Sequence, residues 1–440
     1  MKNNNLSELI IKLLIESEKD IESLENYYLV SNKAILEEIQ KKEKDKEYAI
    51  KCLKYLYEIF ECKSEEDRIK KIAEINERPF CKNKKFKDIY LIESASDKVI
   101  NFGMLANLKD KDKYLPGEVA PLLKSFACMM TISSSSILSS EIMLFEKFLS
   151  HLFKTLITKN PSAYFTNQTV TIQDLLKTNS ASIVNHEINK LVEKEMFDSI
   201  QVIRKIEEKE NISLDSFEKI VKSFSEIYYR RNLFIHNDGV INEIYISKVG
   251  KKKGIKVGER LGCDKEYIEE SIVVIQKLMF YACFSILGKD EKDFDETLVN
   301  IIQDFCFRSL KNERYKLCEA MYKYLSKYRK IDLSVRKSFY VNYLICLKEQ
   351  QKDDEFKTAL PKLESMADDV LYTIALLLLE NKNDSVYNLI QTHYNESNFI
   401  TAVEIKEWPL FKWFRKTDYY QRLIQDHEKD FESFSLEEGN

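Results

Sequence analysis

The chain has 440 residues, a formal net charge of −4, 44% hydrophobic residues and 32% charged residues. This length allows two or three domains, and the acidic balance excludes a global electrostatic attraction to nucleic acid, so any RNA contact requires a local basic patch. Nine glycines and six prolines are few for this length, which favours long helices and little sheet.

Residues 1–90 are predicted to form an N-terminal helical region. Apolar residues recur at helical spacing up to about residue 77. Residues 78–118 are less regular because they contain Pro79, Gly103 and Pro116, and they allow short strands near residues 89–92 and 99–102.

Residues 91–290 are predicted to form a helical bundle. The helical pattern resumes at Glu141, and Asn160-Pro161 interrupts it. Further helices are expected at Ser182–Met196, Leu214–His236 and Lys265–Leu287. Four long helices that share one polar cluster on an otherwise apolar face are typical of such a bundle.

Residues 291–440 have the pattern of short paired helices. Two copies align at an offset of 31 residues, which matches Glu349, Asp353 and Phe356 with Glu380, Asp384 and Tyr387. This period is near that of helix-turn-helix solenoids, so we predict a TPR-like array. The segment from Trp408 to Phe414 would be its terminal repeat or cap. The complete prediction is an all-α protein: a bundle flanked by an N-terminal helical region and a C-terminal helical solenoid.

Cysteine usage and hydropathy indicate a cytoplasmic protein. The nine cysteines are odd in number and contain no C-x-x-C pair, which favours buried, reduced thiols over disulfides or zinc. The N-terminus lacks the pattern of a secretory signal. The two most apolar runs, Val370–Leu379 and Leu278–Leu287, have about ten residues each, whereas a membrane span needs about 20, so we expect no membrane association.

The five histidines give no sign of a metal site. They are His151, His186, His236, His393 and His427, and none forms an H-x3-H or H-E-x-x-H pair. Neither a phosphate-binding glycine loop nor a nucleophile elbow is present in the sequence. We therefore expect no metal and no other cofactor.

The run from Arg230 to Gly239 is the strongest candidate for chemistry. Arg231 lies seven residues after Phe224 and continues an apolar helical stripe, where a guanidinium is costly unless it is paired or faces a ligand. Asn232 and His236 are four residues apart and share a helix face. Gly239 is predicted to supply the left-handed end of the helix. The simpler interpretation is that these cations only complement the helix dipole.

The string Arg-Asn-x-x-x-His at residues 231–236 resembles the signature of HEPN ribonucleases. The flanks are also similar: a basic residue precedes the string, Asn-Asp-Gly and a hydrophobic tail follow it, and residues 145–149 and 171–176 extend the likeness over roughly residues 130–290. The resemblance implies a helical homodimer in which the Arg and His of both protomers form one RNA-cleaving site. Asp238 departs from the tyrosine that some toxins of this family carry as a target of nucleotide transfer.

The resemblance assigns a role to each residue. Histidine titrates near neutrality, so His236 would act as general base on a ribose 2′-OH or as general acid to the leaving 5′-oxygen. Arg231 would bind the phosphate and stabilise the charge of the transition state, and Asn232 would orient His236 or contact phosphate. Apart from the resemblance, the charge of the residues around the motif indicates a basic set that would contact RNA: Arg230, Lys251, Lys252 and Lys253. The alternative for the three lysines is a solvated loop without a ligand.

We therefore expect a metal-independent endoribonuclease that cuts RNA, with tRNA as one candidate, in anti-phage defence by abortive infection. That biological context rests on family resemblance alone. A regulatory or trigger protein would bind the C-terminal repeats. The alternative from another class is a non-catalytic helical scaffold that binds RNA or a protein partner in a defence or toxin–antitoxin system. A third alternative is a regulatory partner of a nucleotidyltransferase.

Overall fold

A computed structural model describes residues 6–42, 70–71, 74, 119–165, 180–212, 218–250, 255–287, 296–326, 331–365, 369–394 and 400–432. These residues are predominantly helical, which confirms the all-α prediction, and the strands considered near residues 89–92 and 99–102 lie outside them. The chain divides into two compact units, residues 1–286 and 287–440. This division falls close to the predicted start of the C-terminal region at residue 291, whereas the predicted boundary at residue 90 lies outside the described residues.

The first unit is built around two long helices, α1 (Leu6–Lys42) and α2 (Val119–Lys159). They run antiparallel, because Lys147 of α2 pairs with Asp20 of α1 while Ser134 lies 3.3 Å from the hydroxyl of Tyr28. The sequence prediction started regular helix at Glu141, some 20 residues too late. The serines that obscured the pattern bond within the helix instead, as Ser139 Oγ donates to the Ser135 carbonyl.

The remaining helices of the first unit pack around this pair. They are α3 (Pro161–Tyr164), α4 (Ser180–Glu195), α5 (Ser199–Glu210), α6 (Glu218–Asn237), α7 (Glu243–Val249) and α8 (Lys265–Leu287). The positions of α4, α6 and α8 agree with the sequence prediction. Helix α5 was missed, although Asp198 caps its first turn and left-handed Asn211 ends it. Phenylalanines from α2, α6 and α8 are fully buried between the helices.

The second unit consists of successive helix pairs. They are α9 (Glu296–Lys311) with α10 (Tyr315–Leu325), α11 (Leu333–Glu349) with α12 (Asp353–Glu364), and α13 (Val370–Leu379) with α14 (Asn383–His393). The end of the unit contains α15 (Ala402–Glu407), 3₁₀ turns at Pro409–Phe411 and Phe414–Lys416, α16 (Asp418–Asp426) and α17 (Glu428–Glu432).

One turn recurs in all three pairs. Glu313, Gln351 and Asn381 each adopt a left-handed conformation, with φ of 57°, 56° and 60°, and the same three backbone hydrogen bonds surround each of them. Thirty positions separate Gln351 from Asn381, so the predicted offset of 31 was wrong by one residue. The pair α9–α10 is a further copy that the sequence comparison did not find.

The segment after α15 packs against α11. Leu410, Phe411 and Phe414 are fully buried. The indole N–H of Trp408 donates to Asn342, and the Lys348 ammonium lies 4.0 Å from the ring centroid of Trp413. Together with the neighbouring helices α10 and α12, this segment buries α11 at every position from residue 339 to residue 347.

The described residues bear on two sequence predictions: that no helix spans a membrane and that the cysteines are buried thiols. Helix α8, with 23 residues, is long and apolar enough to cross a membrane by length and composition alone, and 61% of its most apolar stretch is buried within the structure. A buried core helix passes the same test, so the finding is weak evidence for a span. Among the described cysteines, all of which are free thiols, Cys128 is exposed and Cys263 is half-buried, whereas the predicted burial holds for Cys283, Cys306, Cys318 and Cys346.

Candidate functional site

The candidate site lies at the C-terminal end of α6. The helix ends at Asn237, and both Asp238 and Gly239 adopt positive φ, at 50° and 75°. The Gly239 N–H donates to the carbonyl of Leu233. The prediction for Gly239 is confirmed, with Asp238 as a second left-handed residue before it. A Cβ at residue 239 would lie 3.0 Å from a ring carbon of Phe234, so a larger residue would have to displace that ring slightly in addition to adopting a strained conformation.

A short backbone pairing holds the chain that follows the helix. Val240 forms an isolated antiparallel bridge with Arg260, and the Ile241 N–H donates to the Glu259 carbonyl at 2.8 Å. Leu233, Ile241 and Tyr245 form a buried apolar cluster beneath this pairing. The last turn of α6 is therefore held by the backbone pairing that follows it and by the apolar cluster beneath that pairing.

Glu226 is the polar anchor of this region. Its carboxylate accepts hydrogen bonds from Arg230 Nε at 2.7 Å, from the Tyr245 hydroxyl at 2.6 Å and from the Tyr267 hydroxyl at 2.8 Å. Burial raises the pKa of Tyr267 well above its usual value, and burial together with Glu226 raises that of Tyr245. Both hydroxyls therefore stay protonated and act as donors.

Arg230 belongs to this network. Its Nη1 donates to the Gly262 carbonyl at 2.9 Å, its guanidinium lies 3.9 Å from the Tyr267 ring centroid, and its side chain is 16% exposed. Burial alone disfavours the charge, but Tyr267 and Glu226 outweigh it, and the pKa of Arg230 is raised. Arg230 was predicted to bind RNA, whereas its guanidinium here supports the end of α6.

Arg231 faces α2 and the start of α5. Its Nη2 donates to Glu146 Oε1 at 3.0 Å, and the Ser199 hydroxyl donates to the same oxygen at 3.4 Å. The guanidinium lies 5.1 Å from the ring centroid of Tyr228. The side chain is 17% exposed, and its buried Nε has no hydrogen-bond partner within the part of the chain that the structure describes. One acceptor thus serves a guanidinium that carries five N–H donors.

Asn232 and His236 lie on another side of α6. Successive residues of a helix turn by about 100°, so His236 is about 140° from Arg231 and about 40° from Asn232. The His236 side chain is exposed and that of Asn232 is half-buried. Neither side chain makes a hydrogen bond to another described residue, and His236 does not contact Arg231. The structure therefore brings Asn232 and His236 to one face and separates Arg231 from them.

The surface around the site carries apolar and basic side chains. Phe197, in the turn between α4 and α5, is 89% exposed, and Met143 and Ile235 are exposed as well. Arg260 is paired with Asp238, two residues beyond His236, and both side chains are more than half exposed. Lys251, Lys252 and Lys253, which were predicted to bind RNA, lie outside the described residues.

Sequence reasoning did not find Glu146, Ser199 and Arg260 as neighbours of the motif. Arg231 and Glu146 are 85 residues apart in the chain, and no local pattern indicates their pairing. Within the described ranges, no three His, Cys, Asp or Glu side chains are grouped to hold a metal ion. No family model, no curated protein and no solved structure matches this chain.

Proposed function

We propose that the protein is a metal-independent endoribonuclease of the HEPN type. The observation that supports this proposal best is the state of the motif at the end of α6. His236 is exposed and makes no hydrogen bond within the described residues. Arg231, five residues earlier, forms an ion pair with Glu146, and its buried Nε has no acceptor among these residues. An exposed imidazole can reach a substrate, and a guanidinium with an unused donor can bind an additional anion.

The chemistry follows from the groups. His236 accepts the proton of a ribose 2′-OH, the 2′-oxygen attacks the adjacent phosphorus, and the bond to the 5′-oxygen breaks as that oxygen takes up a proton. Arg231 offsets the additional negative charge on the phosphate oxygens, and Asn232 contacts phosphate or orients the imidazole. The products carry 2′,3′-cyclic phosphate and 5′-OH ends, and DNA is no substrate because it lacks the nucleophile.

A second copy of the chain would complete the site. Arg231 and His236 of one copy lie about 140° apart around α6, so one phosphate reaches both groups more readily across two copies. The exposed apolar residues Phe197, Met143 and Ile235 give a surface on which a symmetric partner can pack. We therefore include a homodimer in the proposal.

We assign a regulatory role to the second unit. Its three helix pairs with recurring turns favour a TPR-like solenoid, a class that presents extended surfaces to partners. A regulatory or trigger protein would bind there, away from the part of α11 that residues 408–416 cover. A cytoplasmic role in anti-phage defence by abortive infection follows only from the resemblance of the motif.

The test is cleavage of a labelled single-stranded RNA by the purified protein, with and without EDTA. We expect cleavage in both cases, survival of a DNA strand of the same sequence, and a loss of roughly 10²–10⁴-fold in His236→Ala. Arg231→Lys should also lose RNA cleavage, because the ammonium group of lysine does not reproduce a bidentate phosphate contact. His151→Ala, which removes an exposed histidine of α2, is the control and should keep full activity. Sedimentation should show a dimer.

The rival function is a non-catalytic scaffold that binds RNA or a protein. The Arg231–Glu146 ion pair favours it, because a paired arginine on a helix face also fits a purely structural role. A wild type that binds RNA or a protein but cleaves no RNA would leave this function ahead. Activity that persists in His236→Ala, or that requires a metal, would overturn the HEPN mechanism.

A further inference from the structure

Glu146 occupies the part of Arg231 that a phosphate needs. A guanidinium binds an oxyanion in bidentate fashion through one of two edges, Nε with Nη2 or Nη1 with Nη2. The nitrogen common to both edges is Nη2, and Nη2 donates to Glu146. Nη2 carries two N–H groups, one on each edge, and Glu146 Oε1 accepts from one of them. The carboxylate therefore competes directly with phosphate for the edge on which it lies, and its charge opposes an anion at the other edge.

The contact with Glu146 is also a single one. Only Oε1 accepts from Arg231, at 3.0 Å, and Nε lacks an acceptor within the described residues. A buried N–H without a partner is unfavourable, typically by 1–3 kcal/mol. The side chain of Glu146 is 31% exposed, so the carboxylate can turn toward solvent when another anion approaches.

We propose that Glu146 is a positioning residue that holds Arg231 in the free protein and that RNA phosphate displaces. The inference rests on the proposed ribonuclease function and adds a determinant of its RNA affinity. Glu146 orients the guanidinium before RNA arrives. Because RNA must displace Glu146 from Nη2, the presence of this carboxylate lowers the affinity for RNA. Ser199, which donates to the same carboxylate oxygen, gives Glu146 a second contact from α5.

The experiment measures binding of a fluorescently labelled, mixed-sequence single-stranded RNA in the His236→Ala background, which prevents cleavage. Glu146→Gln keeps an oxygen acceptor for Nη2 but removes the competing charge, and we expect about five-fold tighter binding, the scale of a partly exposed ion pair. Glu146→Asp keeps the charge on a shorter side chain and should give an intermediate affinity. Glu207→Gln is the control, because Glu207 pairs with Arg204 elsewhere in the first unit.

The salt dependence separates displacement from a structural effect. In the wild type, an RNA phosphate that binds Arg231 displaces the Glu146 carboxylate, which then attracts a cation itself, so the net number of counterions released is small. In Glu146→Gln no carboxylate is displaced and the counterion of the phosphate is released fully. The slope of log K against log salt should therefore be steeper by about 0.7 for single-stranded RNA. In active protein, Glu146→Gln should lower KM in proportion and leave kcat unchanged. Circular dichroism confirms that each variant is folded.

Unchanged or weaker RNA binding in folded Glu146→Gln, with an unchanged salt slope, would overturn the role of Glu146 alone, provided that the wild type binds and cleaves RNA. If the wild type and all variants neither bind nor cleave RNA, the ribonuclease function itself is overturned. Tighter binding in both Glu146→Gln and Glu207→Gln would indicate a general charge effect and would also contradict the inference.

Discussion

Glu141 gives the sharpest test of the first unit's interior. It lies on α2, is 1% exposed, and has its Oε2 2.5 Å from the hydroxyl of Ser271 on α8. That hydroxyl is also 2.8 Å from the carbonyl of Ile268. A hydroxyl has one hydrogen, so if it donates to the carbonyl, Glu141 must donate to Ser271. Burial raises the pKa of Glu141 well above 4.5, which agrees with a neutral carboxyl that carries this hydrogen.

The sign of the pH dependence follows from the raised pKa. The folded protein keeps a proton on Glu141 that the unfolded chain loses above about pH 4.5, so the stability due to this group is full below that pH. It is lost as the pH rises toward the folded pKa. The free energy of unfolding should fall by about 1.4 kcal/mol per pH unit within this window.

Glu141→Gln removes the titration while it keeps an N–H donor for Ser271. Relative to the wild type, the variant should therefore gain about 1.4 kcal/mol for each pH unit between about 4.5 and the folded pKa of Glu141. Urea unfolding of both proteins at several pH values measures this difference. Glu193→Gln, at an exposed position on α4, should give a flat difference. A difference for Glu141→Gln that is also flat, or that shrinks as the pH rises, would refute the assignment of a neutral carboxyl.

Two further predictions concern the end of α6 and the division of the chain. Gly239→Ala should lower the free energy of unfolding by more than Gly258→Ala does, because both residues have positive φ but only residue 239 places a Cβ 3.0 Å from Phe234. The backbone strain of an alanine at either position is worth about 1–3 kcal/mol. Equal losses of stability in urea unfolding would contradict the role of Phe234. A chain truncated after Lys289 retains the whole first unit and should fold, as measured by circular dichroism, and cleave RNA, whereas an insoluble product would place the boundary elsewhere.

The sequence predicted best the features that depend on local periodicity. The apolar stripe of α6, its end at Asn237 and the left-handed Gly239 follow from residues that are close in the chain. Helix α2 shows the limit of this reasoning, because a run of serines resembles a loop until their hydroxyls bond to carbonyls of their own helix. The repeat offset was wrong for a related reason. The recurring turn is defined by backbone conformation, which Glu313, Gln351 and Asn381 share without sharing a side chain.

The surroundings of the motif could not be predicted, because they depend on tertiary contacts. Glu146 reaches Arg231 from α2, and Tyr245 and Tyr267 reach Glu226 from beyond the end of α6. No spacing in the sequence indicates which of many acidic residues will pair with which arginine. The same limit applies to Arg230, which a basic motif assigns to RNA and which the fold assigns to a buried carboxylate.

The two neighbouring arginines differ in how fully their donors are used. Arg230 has a carboxylate, a backbone carbonyl and an aromatic face, and withdrawing it to bind RNA would leave Glu226 buried without its cation, a change that typically costs 3–5 kcal/mol. Arg231 has one carboxylate oxygen and a buried Nε without an acceptor among the described residues. A phosphate would therefore have to replace one carboxylate contact at Arg231, whereas it would have to break several contacts at Arg230. This difference is the physical reason for assigning the RNA phosphate to Arg231 and for testing the assignment first at Glu146, the acceptor that the phosphate must replace.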